Sequence, residues 1–238
     1  MIQEAQMSLI QLFHGSDHIV EMPDINAGNP RNDYGQGLYC TRDEKMACEW
    51  ACRKNADGFV NIYDFDDEDL QILNLLDGHY SILNWIALLL RFRTFRLDTE
   101  IAIEARDYII GNYSIDVSGY DVIVGYRADD SYFQYAEAFV SNGLSLRGLN
   151  RALHLGKLGE QTAIISEKGL EHLTFAGAFS ADKNIYYPKF LDRDANARDT
   201  YRREIKKGAS YHDDIYVLDI LREEIADNDP RIQRIVSE

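Results

Sequence analysis

Leu12-Phe13-His14-Gly15-Ser16, answered after a polar loop by Asp33-Tyr34-Gly35-Gln36-Gly37-Leu38-Tyr39-Cys40-Thr41, is the part of the sequence on which the fold turns. An apolar run that closes on a histidine and a Gly-Ser turn reads as a short strand over residues 8–14. At its end an imidazole sits beside a backbone amide and a hydroxyl, a grouping that hydrogen-bonds a sugar hydroxyl and a carboxamide together. Residues 22–37 are rich in Asn, Asp, Gly and Pro and read as loop. Within it, Gly35 and Gly37 let the backbone approach a flat ligand closely. Residues 38–41 read as extended, and residues 43–55 as a helix with Met46, Ala47, Trp50 and Ala51 on one stripe. Tyr39 and Trp50 then offer two aromatic faces for stacking. Taken singly, these residues are turn glycines, core aromatics and a satisfied histidine. Their joint order favours a ligand site.

Working outward, residues 59–65 alternate as a strand. The acidic run at residues 64–69 lacks the glycine and distal glutamate of a calcium loop and reads as a solvated turn between two strands. Residues 79–96 have helical periodicity, with Ile82, Leu83, Ile86, Leu89 and Leu90 on the apolar face, and residues 98–111 form a second helix. Residues 120–126 are almost continuously apolar, as expected of a strand buried on both faces. Helices over 131–140 and 145–155 precede a buried strand over 161–166. After Phe179 the charges alternate, ending in an amphipathic segment at 215–225. The predicted architecture is α+β: a domain over residues 1–180 and a charged, helical extension over 181–238 packed on it.

The chain has 238 residues, 45% of them hydrophobic and 27% charged, with 4 prolines. That composition excludes a disordered or collagenous chain. Its 25 Lys+Arg against 40 Asp+Glu give a net charge of −15, which argues against bulk capture of nucleic acid or anionic lipid while leaving room for a local basic cleft. Cys40, Cys48 and Cys52 are odd in number and form no C-x-x-C pair, which favours a reducing compartment. The longest apolar run, residues 85–90, is far short of a bilayer span, and the first residues carry no basic, apolar leader pattern. A soluble, cytoplasmic protein without membrane contact is expected. No phosphate-binding loop, G-x-S-x-G or H-E-x-x-H occurs. His14 and His18 are spaced for a helical metal pair, but Gly15 and Ser16 break that helix and no third ligand is near, so no metal site is expected.

The quoted segments resemble the NAD-binding half of the diphtheria-toxin-like and poly(ADP-ribose) polymerase group of ADP-ribosyltransferases. There a His-Gly-Ser or His-Gly-Thr strand is followed by a (F/Y)-G-x-G-(I/L)-Y strand and a helix carrying an aromatic. That resemblance covers residues 8–55 and, more weakly, the strand at Gln161. The chain is also similar, to about residue 180, to a bacterial family of this superfamily often encoded beside small antitoxin-like genes. That family carries a G-Y-R-x-D-D-x-Y-F segment, here Gly125-Tyr126-Arg127-Ala128-Asp129-Asp130-Ser131-Tyr132-Phe133. The resemblance implies a split β-sandwich with an NAD cleft and inserted helices. It implies an NAD-dependent ADP-ribosyltransferase, the toxin of a bacterial toxin–antitoxin pair, with NAD as substrate and a small antitoxin protein as partner. The acceptor would be a protein or nucleic acid.

By the same resemblance, His14 would bind a ribose hydroxyl and the Gly15 backbone the nicotinamide carboxamide, with Ser16 in support and Gly37 in the glycine-rich turn. Tyr39 and Trp50 would enclose the nicotinamide ring. The group's catalytic glutamate starts a later strand, and here Gln161 stands in that place with Glu160 before it. A glutamine hydrogen-bonds a hydroxyl but supplies no charge. The charge is left to Glu160 after a register shift, to Asp129 or Asp130, or to altered chemistry. In a regular strand Gln161 and Glu160 face opposite sides. Arg127 would pair the pyrophosphate, with Asp130 beside it; a salt-bridged turn or helix cap reads these two residues equally well. The alternatives to an enzyme are an inert NAD or ADP-ribose-binding module and an interaction protein with a vestigial pocket.

Overall fold

Two small sheets pack face to face because each alternates apolar side chains toward the other. In the computed structural model, residues 9–128, 130–155, 159–206 and 213–236 are described. Asp129 lies outside the described residues, as does the side chain of Asp130. The first sheet is antiparallel, in the order β1 (Ile10–Ser16), β3 (Gly58–Phe65) and β7 (Leu173–Ala181). The second runs β2 (Leu38–Cys40), β6 (Glu160–Ile164), β5 (Val122–Tyr126) and β4 (Ile72–Asn74), antiparallel except for the β4–β5 pair. Leu12, Tyr63 and Phe65 from the first sheet meet Leu38, Cys40, Val122 and Ile164 from the second in one buried cluster. The fold is α+β.

The outer faces are covered by helices. Helix α1 (Glu44–Ala51), capped by the Asp43 carboxylate on the Lys45 and Met46 N–H groups, lays Ala47, Cys48 and Ala51 on Phe13, Val60 and Ala181 of the first sheet. The second sheet is covered by α2 (Ile82–Phe92), α3 (Glu100–Tyr113), α4 (Asp130–Val140) and α5 (Leu146–Leu155). These form the main core with Leu73, Ile123 and Ala163. Helices α7 (Lys183–Lys206), α8 (Val217–Glu223) and α9 (Pro230–Val236) make up the C-terminal part, and the short α6 (Glu167–Glu171) precedes β7. Helix α7 packs on α1 and α5, α8 on α3, and α9 on α5. The buried Arg147 of α5 ties this part down through Asp213 and Asp214, at 3.1 and 2.6 Å. No helix among the described residues is long and apolar enough to cross a membrane.

Three differences from the sequence reading have physical causes. The helix expected over 43–55 stops at Ala51, where Cys52 turns extended and Arg53 and Ala56 close a tight turn. The helix expected over 79–96 is trimmed at both ends, by a capping box on Ser81 and Asn84 and by extended backbone at Arg93. Strand β7 was not anticipated. Its Leu-Thr-Phe-Ala-Gly-Ala-Phe-Ser-Ala run is interrupted by a bulge opposite Ile62 and Tyr63, with Gly177 at φ 147°.

Among the described residues, a single backbone bridge stitches the sheets together. Phe13 and Thr41 exchange two backbone hydrogen bonds, of 2.8 and 2.9 Å, in an isolated bridge between β1 and β2. Two residues on, Gly15 lets α1 settle directly on β1: a Cβ there would lie 2.1 Å from the Ala47 carbonyl oxygen and 2.8 Å from the Ala51 nitrogen. Gly15→Ala should therefore push α1 off the strand and cost about 1–3 kcal/mol, read as a lowered urea midpoint. An unchanged midpoint would contradict this packing.

Candidate functional site

Side-chain alternation decides which candidates can meet. In β6, Gln161 and Ala163 face the helices, whereas Glu160 and Thr162 face the other way; Tyr39, paired with Ala163, shares the Gln161 face. A cleft of about 270 Å³ opens on that face, lined by Asn32, Asp33, Tyr39, Trp50, Arg93, Arg127, Ala128, Gln161 and Phe190. Four residues singled out from the sequence, Tyr39, Trp50, Arg127 and Gln161, thus come together from β2, α1, the chain after β5, and β6. Glu160 is exposed and borders a separate hollow with Arg42, Asp67, Asn74 and Thr162.

His14, Gly15, Ser16 and Gly37 are not among the residues that line the cleft; His14 is joined to one that does, Tyr39, through that residue's main chain. Its Nδ1 donates to the Tyr39 carbonyl at 2.8 Å. A carbonyl only accepts, so the proton sits on Nδ1, and the neutral ring keeps Nε2 as an acceptor. Burial is the main influence pulling the His14 pKa below its ordinary 6.5; the bond to Tyr39 opposes it and His18 adds to it. Gly15 contributes its backbone. Because Phe13 bonds away from β3, toward Thr41, the alternation of an antiparallel ladder turns the Gly15 N–H and C=O away from β3 as well. Ser16 is occupied elsewhere: its hydroxyl donates to His18 O at 2.6 Å and accepts from Asn61 at 2.9 Å, bracing the turn after β1. Gly37 lies against β6, where a Cβ would stand 2.5 Å from Ile164 O.

The cleft's polar wall is cationic around one buried acid. Arg127 lies over the Trp50 ring, 4.9 Å from its centroid. Arg93 holds its Nε 3.6 Å from the Asp33 carboxylate and stacks on Phe133 at 4.3 Å. Asp33, 5% exposed, accepts from the Ala128 N–H at 2.9 Å and from Gln161 Nε2 at 2.8 Å. Burial pushes its carboxyl above the usual range, opposed by the Ala128 N–H, Arg93, Gln161 and Arg127. Trp50 Nε1 is buried with no hydrogen-bond partner among the described residues. The Tyr39 hydroxyl donates to Gly35 O at 2.7 Å, and burial holds it protonated.

Asp33, Arg93 and Phe190 were not anticipated. Asp33 directly precedes the Tyr-Gly-x-Gly run, so a buried carboxylate beside that motif was open to reading. Arg93 falls inside the helix expected over residues 79–96, off its apolar face, and nothing there marks it. Phe190 comes from α7, and nothing in its surroundings in the sequence marks it.

Because the His14 pKa is depressed, the residue adds stability above about pH 6.5 that drains away as the pH falls toward its lowered midpoint. Nitrogen NMR of the imidazole should find the proton on Nδ1 at neutral pH and a titration midpoint below 6.5. An Nε2–H tautomer would contradict the bond to Tyr39.

A family model described as "Protein of unknown function (DUF3990)" matches residues 10–175. No curated protein and no solved structure matches the chain. The matched stretch carries every residue of the cleft wall except Phe190. As it spans well over half of the sequence, the chain belongs to the DUF3990 family.

Proposed function

We propose that this chain is an NAD-dependent ADP-ribosyltransferase whose two sheets form the split β-sandwich of that superfamily. The observation that carries the reading is the meeting of Tyr39, Trp50, Arg127 and Gln161 in one cleft, with His14 bonded to the Tyr39 carbonyl beside it. The cleft lies near the lower end of small-molecule sites, about 300–1,000 Å³. That suits the nicotinamide–ribose half of the dinucleotide better than the whole.

The residues fit such a ligand. The unpartnered Trp50 Nε1 is a buried donor that a ligand oxygen would satisfy. The outward-turned Gly15 N–H and C=O match a carboxamide, which needs one acceptor and one donor. His14 Nε2 accepts a ribose hydroxyl, and the faces of Tyr39 and Trp50 enclose the pyridine ring. Arg93 and Arg127 make a cationic wall for the pyrophosphate in a chain of net charge −15.

In the reaction the nicotinamide–ribose bond breaks and its electron pair goes to the ring nitrogen, so nicotinamide leaves neutral. Positive charge passes to the ribose. A lone pair of the acceptor forms the new bond to the same carbon, and the acceptor's proton is released. The protein orients the ribose through His14 and Gln161 and keeps the ring fixed while charge develops. A protein or nucleic-acid acceptor, an antitoxin partner and a cytoplasmic setting follow from the family resemblance and belong to the same proposal. One observation favours the inert-module alternative: a glutamine stands where the superfamily places its glutamate.

Purified protein incubated with NAD should release nicotinamide, measured by chromatography. His14→Ala and Tyr39→Ala should each lower that rate by about 100-fold or more. Saturable NAD binding without release would select the inert module, and absence of NAD binding would overturn the reading.

A further inference from the structure

The side chain beside Gln161 points to where the missing charge resides. Gln161 is 4% exposed, and its amide is fixed by what surrounds it. Nε2 lies 2.8 Å from Asp33 Oδ2 and 3.1 Å from Tyr126 O. A carboxylate and a carbonyl only accept, so the amide cannot flip without setting oxygen against oxygen. Both N–H groups are thereby spent, and Oε1 is left as the amide's one acceptor.

Asp33 is held as firmly as its partner. Gly35, at φ 86°, turns the chain just after it, in a left-handed conformation that a side chain would strain and that the Phe92 ring leaves no room to fill. The turn lays the Tyr34 ring parallel to Tyr39, with centroids 6.4 Å apart and planes 9° from parallel. The Tyr34 N–H donates to the Tyr39 hydroxyl at 2.9 Å, and the Tyr34 hydroxyl donates to Tyr126 O at 2.6 Å. Asp33 is thus tied through one loop to Tyr39 and to the strand end that receives Gln161. A carboxylate whose surroundings were selected for stability alone would not need to border a cleft, yet Asp33 lines this one.

We infer that Asp33 is a positioning residue that acts through Gln161: it locks the amide with Oε1 toward the substrate hydroxyl and supplies the negative charge that a glutamine in the glutamate's place lacks. Asp33 and Gln161 together then do what one glutamate does elsewhere, dividing hydrogen bonding and charge between two side chains. As the nicotinamide–ribose pair departs with the ring nitrogen, the Asp33 charge, relayed by the polarised amide, offsets the positive charge appearing on the ribose. Arg93 and Arg127 border the same wall, and the Ala128 N–H holds the carboxylate that Arg93 faces at 3.6 Å.

This inference rests on the cleft being an NAD site, and the test separates the two. Nicotinamide release and NAD affinity are measured for the wild type, Asp33→Asn, and Asp33→Asn combined with Gln161→Glu. Asp33→Asn keeps size and an acceptor for Ala128, so NAD affinity and the thermal midpoint should stay near the wild type while kcat falls by about 100-fold. The double variant moves the carboxylate to position 161 and should regain at least about tenfold of that loss. Were Asp33→Asn not to fold, Asp33→Ser serves instead, since its hydroxyl still accepts a hydrogen bond without carrying charge; release should fall while NAD affinity holds. Full activity of Asp33→Asn or of Asp33→Ser, or a double variant no faster than Asp33→Asn, would overturn the role of Asp33 while leaving the NAD site standing. A wild type that neither binds NAD nor releases nicotinamide would overturn both.

Discussion

The two hydrogen bonds between Phe13 and Thr41 hold the first sheet to the second at the point where the candidate site begins. Because the bridge is isolated, β1 and β2 do not continue as one ladder. On the far side of it, the groups that a continued ladder would consume stay available: the His14 ring takes the Tyr39 carbonyl, and Gly15 keeps a backbone edge turned away from β3. The His14 and Gly15 side of the site depends on that incomplete pairing. Helix α1 reinforces it, since its seat on Gly15 sets where Trp50 stands.

The electrostatics of the cleft run against those of the chain. A protein with far more acids than bases places two arginines and one buried aspartate along the same wall. Arg127 and Arg93 each lie over an aromatic ring, a placement that orients a guanidinium. Asp33 is kept in a low-dielectric setting by a backbone N–H, an amide and a neighbouring guanidinium. Such an arrangement raises the effect of each charge on its neighbours well beyond what it would have in water.

Local pattern made much of the fold legible. The strands at Phe13, Ile62 and Val124 and the helix carrying Trp50 follow from alternation, apolar runs and a helical stripe, and Tyr39, Trp50, Arg127 and Gln161 were singled out before they met in space. The opposite facing of Glu160 and Gln161 followed from strand geometry alone. Strand β7 escaped because alanines and a bulge blur its alternation. Asp33 escaped because burial of a loop carboxylate depends on Ala128 and Gln161, both distant in sequence. Phe190 escaped because a wall supplied by a later helix leaves no trace near the motif it completes.

The measurement that bears most directly on the site is a structure of the protein determined with NAD bound. The pyridine ring is expected between Tyr39 and Trp50, with its carboxamide on the Gly15 backbone and a ribose hydroxyl on His14 Nε2. A dinucleotide seated away from these residues, or a cleft that stays empty at saturating NAD, would contradict it.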